Sequence, residues 1–250
     1  MKKKYHIVVV GCGGTGSVFM EKLTRYLACR KEKDIGSIVL IDGDVVEEKN
    51  LRNQSFIKED VGLYKSVVWE NIANAILENH PCHSYGTYIE NKDELKKIIK
   101  KHSKSLYGTT DITILIGACD NHACRLVMES FFYDESPDSK NLLYFDSANE
   151  FDTGETVFAA KIEGRVISPC RSALFPDVLK GDLRTVREMS CEELNAVAPQ
   201  HMLINQLAAM QLMMGMVKVL EKAEIPTGVT CFNTNFSTQH FPANPSRKVG

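Results

Sequence analysis

The sequence has no Cys-x-x-Cys pair, no apolar run near the roughly 18 residues of a membrane helix, and no hydrophobic leader before its first strand. These absences argue against a structural zinc site, a membrane span and secretion, and a cytoplasmic protein is the expectation. An excess of one charge is missing as well: 30 basic and 32 acidic residues leave a formal net charge of −2. Nothing therefore draws the whole chain to nucleic acid or to an anionic membrane, and Lys2 to Lys4 reads as a solvated start. Eight cysteines (12, 29, 82, 119, 124, 170, 191 and 231) are scattered along the chain without a signal peptide, which implies reduced thiols. Internal repeats and low-complexity tracts are also absent.

What is present is an ordinary globular composition, 44% hydrophobic and 25% charged over 250 residues. Strand and helix signals alternate. Strands are expected at residues 5 to 10, 37 to 41, 83 to 89, 111 to 116 and 142 to 146. Helices are expected at 15 to 30, 62 to 78, 93 to 102 and 121 to 133. Such alternation means a mainly parallel sheet with helices on both faces. After Asp146 the pattern changes to a hairpin-like stretch, Thr156 to Lys161, following the turn Asp152-Thr153-Gly154. An irregular segment then runs from Ile167 to Pro199, too long for a mere connection and more in keeping with a binding loop or lid. A Met-rich helix over 200 to 222 follows, apolar on more than one face, which suits a core helix with one side in a dimer partner. The tail from Asn235, with two prolines, is expected to be partly mobile. The whole reads as a single domain, 1–250, with a nucleotide-binding half (1–150) and a second half (151–250) holding the long loop, the Met-rich helix and a C-terminal strand.

The strand Ile7 to Val10 runs straight into Gly11-Cys12-Gly13-Gly14-Thr15-Gly16, and Asp42 ends the second strand 26 residues past Gly16. Glycines there allow a tight turn and a close backbone approach to phosphate at a helix N-terminus, and Asp42 stands where a Rossmann-type acid accepts ribose hydroxyls. Dehydrogenase and adenylate chemistry both remain open at this point.

The stretch Asp42-Gly43-Asp44, then Asn50-Leu51-Arg52-Asn53-Gln54, then Gly62-Leu63-Tyr64-Lys65 carries more information than the glycines. With Asp120-Asn121 and Arg125 downstream and Phe145-Asp146-Ser147-Ala148-Asn149 entering a Gly154 turn, it resembles the activating-enzyme family that adenylates ubiquitin-like and sulfur-carrier proteins, including the ThiF-like adenylyltransferases. The resemblance covers about residues 5 to 222 and implies a Rossmann-like, doubly wound fold with a long crossover loop. It implies ATP as substrate with Mg²⁺ held at Asp120, and Lys65 and Arg52 as cations on the phosphates. Asp42 and Asp44 would serve the nucleotide, with Asn50, Gln54 and Asn121 nearby. The partner it implies is a small carrier protein ending in glycine, the assembly a homodimer. No zinc is expected, since the paired cysteines of many members are missing. Asn50 and Asn121 read equally well as helix caps.

Two features depart from the family pattern. Arg52 lies one residue before the family's arginine, a shift of about 100° on a helical turn. The chain also begins at the first strand, without the preceding helix whose arginine reaches a partner's nucleotide in many members. Cys191, in Met189-Ser190-Cys191-Glu192-Glu193 ahead of Pro199-Gln200-His201, resembles the crossover-loop cysteine that forms a thioester, while Ser190 and Glu193 fit a capping box just as well. Cys170 beside Arg171 is a weaker candidate thiol, and Cys12 a packing residue. Two other readings use the same glycine loop: an NAD-dependent oxidoreductase, and a scaffold that keeps the fold without the ATP chemistry.

Overall fold

The apolar runs become parallel strands in the computed structural model, which describes residues 2–78, 80–103, 108–180, 202–235 and 237–243. These are β1 (Lys2–Val10), β2 (Ile35–Ile41), β3 (Cys82–Tyr85), β4 (Thr109–Gly117) and β5 (Leu142–Asn149), in the order β3-β2-β1-β4-β5. Past β5 the sheet continues antiparallel through β6 (Thr153–Ile162), β8 (Gly228–Asn233) and β9 (Thr238–Phe241), and β7 (Arg165–Ser168) also pairs with β6. The described helices are α1 (Gly14–Cys29), α2 (Lys65–Ile76), α3 (Lys92–His102), α4 (His122–Phe132), the single turn α5 (Arg171–Leu174) and α6 (Met202–Lys222).

Strand alternation sorts the core into two layers. Tyr5, Ile7 and Val9 of β1 pack with Phe19 and Leu23 of α1, Val68 and Trp69 of α2, and Leu212 and Met216 of α6. Val8 and Val10 face the other way, toward Leu95 and Ile99 of α3 and Met128, Phe131 and Phe132 of α4. Strands buried on both faces explain why β1 and β4 read as unbroken apolar runs. The result is the Rossmann-like, doubly wound sheet expected from the alternation.

Three expectations need correction. The second helix starts at Lys65, not at 62, because Gly62 takes a left-handed turn (φ 91°) and Tyr64 bridges back to Val45. The third strand stops at Tyr85, where Gly86 is pressed against the Tyr64 ring. The tail carries a strand: residues 238 to 241 form β9 on the edge of β8, and all four are exposed. The third correction concerns the apolar run. By length and composition α6 qualifies as a membrane-crossing helix, with a mean hydropathy of 1.4 over 18 residues. Yet 61% of that window is buried inside the fold, as befits a core helix.

The antiparallel half is stitched to the parallel half by buried charge. Asp146, 0% exposed on β5, accepts from Arg125 Nε of α4 at 3.3 Å and from Arg171 Nε of α5. Arg125 also donates to the carbonyls of Cys119 and Ser147, and Arg171 pairs with Glu155 of β6. Arg171 is therefore spent on carboxylates and is no partner for the Cys170 thiol, which burial pushes well above its ordinary value. Removing the one carboxylate that two buried guanidiniums share is expected to be severe. Asp146→Ala is predicted to lose about 3 to 5 kcal/mol in urea unfolding, whereas Glu150→Ala, on the exposed β5–β6 turn, is predicted to lose under about 0.5 kcal/mol.

Candidate nucleotide site

The C-terminal ends of β1, β2 and β4 meet the N-termini of α1, α2 and α4 at one edge of the sheet, which is where open α/β sheets bind ligands. The glycine loop shows why its residues are small. Gly11 is left-handed (φ 93°), and a Cβ there would lie 2.6 Å from the Ala118 carbonyl; a Cβ on Gly16 would lie 1.9 Å from the Gly11 carbonyl. Gly13 is more open, with Gln54 Nε2 3.9 Å from where its Cβ would stand. Helix α1 starts after Gly13 with no side-chain cap, so its first-turn amides face outward with their positive dipole end.

Asp42, at the end of β2, accepts the Cys12 amide at 2.5 Å on one oxygen and the Asp44 amide at 2.8 Å on the other. Each oxygen keeps a second lone pair for a ribose hydroxyl. Burial, with Asp44 beside it, raises its pKa to about 6 against the pull of Lys65 and the two amides. Asp44, its side chain half-exposed, is held on both oxygens: Lys65 Nζ donates to one at 2.8 Å and the Tyr88 hydroxyl to the other. That grip fixes the lysine. Burial would pull the Lys65 ammonium down, but Asp44 and then Asp42 more than reverse it, and Asp120 adds to the same effect.

The remaining expected residues fall into two groups. Asn50 is buried as a cap: its side-chain oxygen accepts the Glu47 amide at 2.9 Å in the turn Glu48–Arg52. Asn121 caps α4 by accepting the Cys124 amide at 2.7 Å. Both are thus engaged by the backbone. Gln54, beside the glycine loop, and its neighbour Asn53 each carry a buried side-chain oxygen with no hydrogen-bond partner among the described residues. Arg52 is exposed at the end of the same turn, and Asp120 is exposed just past β4. Cys191 lies outside the described residues, as does most of the segment around it.

Sequence reasoning did not find the cavity of about 580 Å³ that opens next to Asp120. His122, Asn149, Glu155, Cys231 and Asn233 line it together with Asp120. Burial, then Arg125 and Arg171, lower the His122 pKa, so this imidazole stays neutral at physiological pH. The motifs around Asp120 and Asn149 touch the cavity, but its remaining walls come from β6 and β8, far apart in sequence, so no one motif marks it. Tyr88, which grips Asp44, likewise lies in no motif.

The donor set fits a nucleoside triphosphate. An uncapped helix start, a fixed ammonium and unpartnered amide oxygens beside glycine backbone are what phosphates and a sugar need. A single exposed carboxylate at Asp120 also matches magnesium, which usually takes one or two protein carboxylates plus phosphate oxygens.

The sequence model described as the ThiF family matches residues 2–248 of this chain. The chain belongs to the ThiF family. Among curated proteins, ubiquitin-like modifier-activating enzyme 5 of Drosophila ananassae is 29% identical over 144 residues, 56% of this chain and 33% of that protein. The same enzyme of Dictyostelium discoideum is 31% identical over 122 residues, 48% of this chain and 30% of its own length. The matched part thus spans about a third of the curated relatives. Among solved structures, PaaA superposes with a TM-score of 0.64 at 16% identity, covering 95% of this chain and 72% of its own. Escherichia coli MccB with ATP gives 0.64 at 17%, covering 98% and 65%. These structures establish the shared fold.

The Asp42 shift has a consequence for stability. A carboxyl whose folded pKa of about 6 exceeds its ordinary 3.8 binds its proton more tightly when folded. Its contribution is fully present below pH 3.8 and is lost as pH rises through about 6. Wild type is therefore predicted to lose stability relative to Asp42→Ala between those limits and to run parallel to it above pH 7, measured by urea unfolding across the range.

Proposed function

We propose that this ThiF-family chain is an ATP-dependent adenylyltransferase acting on the C-terminal carboxylate of a small ubiquitin-like or sulfur-carrier protein. The observation that carries the reading is the convergence of Lys65, Asp42 and Asp120 on the uncapped start of α1 and its glycine loop. A carboxylate oxygen attacks the α-phosphorus and pyrophosphate leaves, so negative charge must be met on the phosphate oxygens. Lys65 supplies a fixed ammonium there, the α1 amides a second set of donors, and Asp42 acceptors for the ribose. Arg52, exposed in the neighbouring turn, is long enough to add a further cation. Magnesium held at Asp120 would neutralise phosphate charge. The cavity beside Asp120 offers room for the carrier's last residues. The similarity to modifier-activating enzyme 5, and the fold shared with MccB, which has been solved with ATP, point the same way.

An NAD-dependent oxidoreductase would leave the Lys65–Asp44 grip and Asp120 without a task. A second step, attack by the Cys191 thiolate on the acyl carbon with release of AMP, belongs to the same proposal. It makes the enzyme a full activating enzyme. A homodimer completes the reading. Leu203, Met210 and Met214 are 46 to 48% exposed on one side of α6, an apolar stripe suited to a second copy.

Three outcomes are expected. Purified protein should catalyse ATP–pyrophosphate exchange only with a glycine-ended carrier, and Lys65→Ala and Asp120→Ala should each lower it by about 100-fold. Cys191→Ser should keep exchange and lose the thioester. Exchange that is untouched by both active-site substitutions would refute the assignment. In sedimentation, Met210→Asp with Met214→Asp should convert a dimer to a monomer; an unchanged mass would remove α6 as the contact.

A further inference from the structure

Asn205 is a polar residue on an apolar helix, 4% exposed, and it reaches the glycine loop from the opposite end of the sequence. Its side-chain oxygen accepts from Asn149 Nδ2 at 3.0 Å and from the Thr15 hydroxyl at 3.3 Å. Asn149 Nδ2 also donates to Thr15 Oγ1 at 2.9 Å, and the Ser147 hydroxyl donates to Asn149 Oδ1 at 3.3 Å. The protons balance: the two amide hydrogens of Asn149 go to Thr15 and Asn205, and the hydroxyl hydrogen of Thr15 goes to Asn205. A Cβ on Gly14 would lie 2.5 Å from Asn205 Nδ2, so the loop backbone rests directly on that amide. Residues from α1, the end of β5 and α6 thus close a ring around the first turn of the helix whose amides are uncapped. Asn149 at the same time lines the cavity next to Asp120.

We infer that Asn149 and Asn205 are positioning residues for the phosphate-binding loop: they hold Gly14 and Thr15 so that the α1 amides face the nucleotide, without touching it themselves. The inference rests on the adenylation reading. Its physical basis is that short donor ladders aimed at phosphate work only when their backbone is fixed in advance, because a loop that must be ordered on binding spends part of the binding energy on that ordering. The ring does this fixing with side chains that no glycine motif contains.

The test is binding of the non-hydrolysable analogue adenosine 5′-(α,β-methylene)triphosphate by calorimetry, with thermal unfolding as control. Asn205→Asp keeps the size and both accepted hydrogen bonds but sets a negative charge against the loop. Buried at 4% exposure, that charge is screened little by salt, so affinity should fall by about tenfold or more at low and high salt alike, with a lowered melting temperature. Asn149→Ala should weaken binding about tenfold at any salt. Gly14→Ala should weaken it through the clash with the Asn205 amide, and Asn205→Ala should relieve that clash, so the double variant binds like Asn205→Ala alone. Simple additivity of the last two, or wild-type affinity in Asn205→Asp, would overturn the inference. A wild-type protein that binds no ATP analogue would instead overturn the adenylation reading on which it depends.

Discussion

Two backbone amides, those of Cys12 and Asp44, donate to the carboxylate of Asp42, and the geometry of this end of the sheet depends on that pair of bonds. One amide belongs to the glycine loop after β1, the other to the segment that leads to α2, so a single side chain ties the two together. Through Asp44 the tie extends to Lys65 and Tyr88. The cost is a carboxylate held in a partly dry place beside another carboxylate, which is why its proton is retained to about pH 6. Lys65 makes this arrangement tenable, since one buried ammonium faces the field of three acids. Cation and acids are mutually required, and the lysine is set in place before any ligand arrives.

Elsewhere the same logic is used for architecture. Asp146 with Arg125 and Arg171 joins β5, α4 and α5 where the sheet turns from parallel to antiparallel. There the buried charges join the apolar packing of Tyr144 and Ala159 on the α4 side. The arginines line the cavity, and burial together with their charge lowers the His122 pKa. The cavity is thereby shaped by groups already satisfied among themselves, with Asp120 left exposed at its rim.

How far the sequence told this in advance differs between parts of the chain. The parallel half was legible because β1 and β4 are buried on both faces and bounded by glycine or acid, leaving few alternatives to a central strand. Helix boundaries slipped where local turns decided them, as at Gly62 to Tyr64. Short motifs singled out Asp42, Lys65 and Asp120, which the fold brings to one edge of the sheet, but gave no sign of the hydrogen bonds that hold Asp42 and Lys65 there. Asn50 and Asn121 sit where the motif puts them and yet serve as caps, because a short amide beside a helix start finds the backbone first. Asn149 stood in a motif without a task and Asn205 in none, since the hydrogen bond between them joins positions 56 residues apart and only a folded chain brings them together. A polar residue in an otherwise apolar stretch of α6 was the available signal.

The most direct measurement of the central claim is calorimetric binding of ATP and NAD⁺ to the same preparation, for wild type and Lys65→Ala. The account predicts that ATP binds with magnesium present, that the lysine substitution weakens it by about tenfold or more, and that NAD⁺ does not compete. Tight NAD⁺ binding, or ATP binding indifferent to the loss of Lys65, would contradict it.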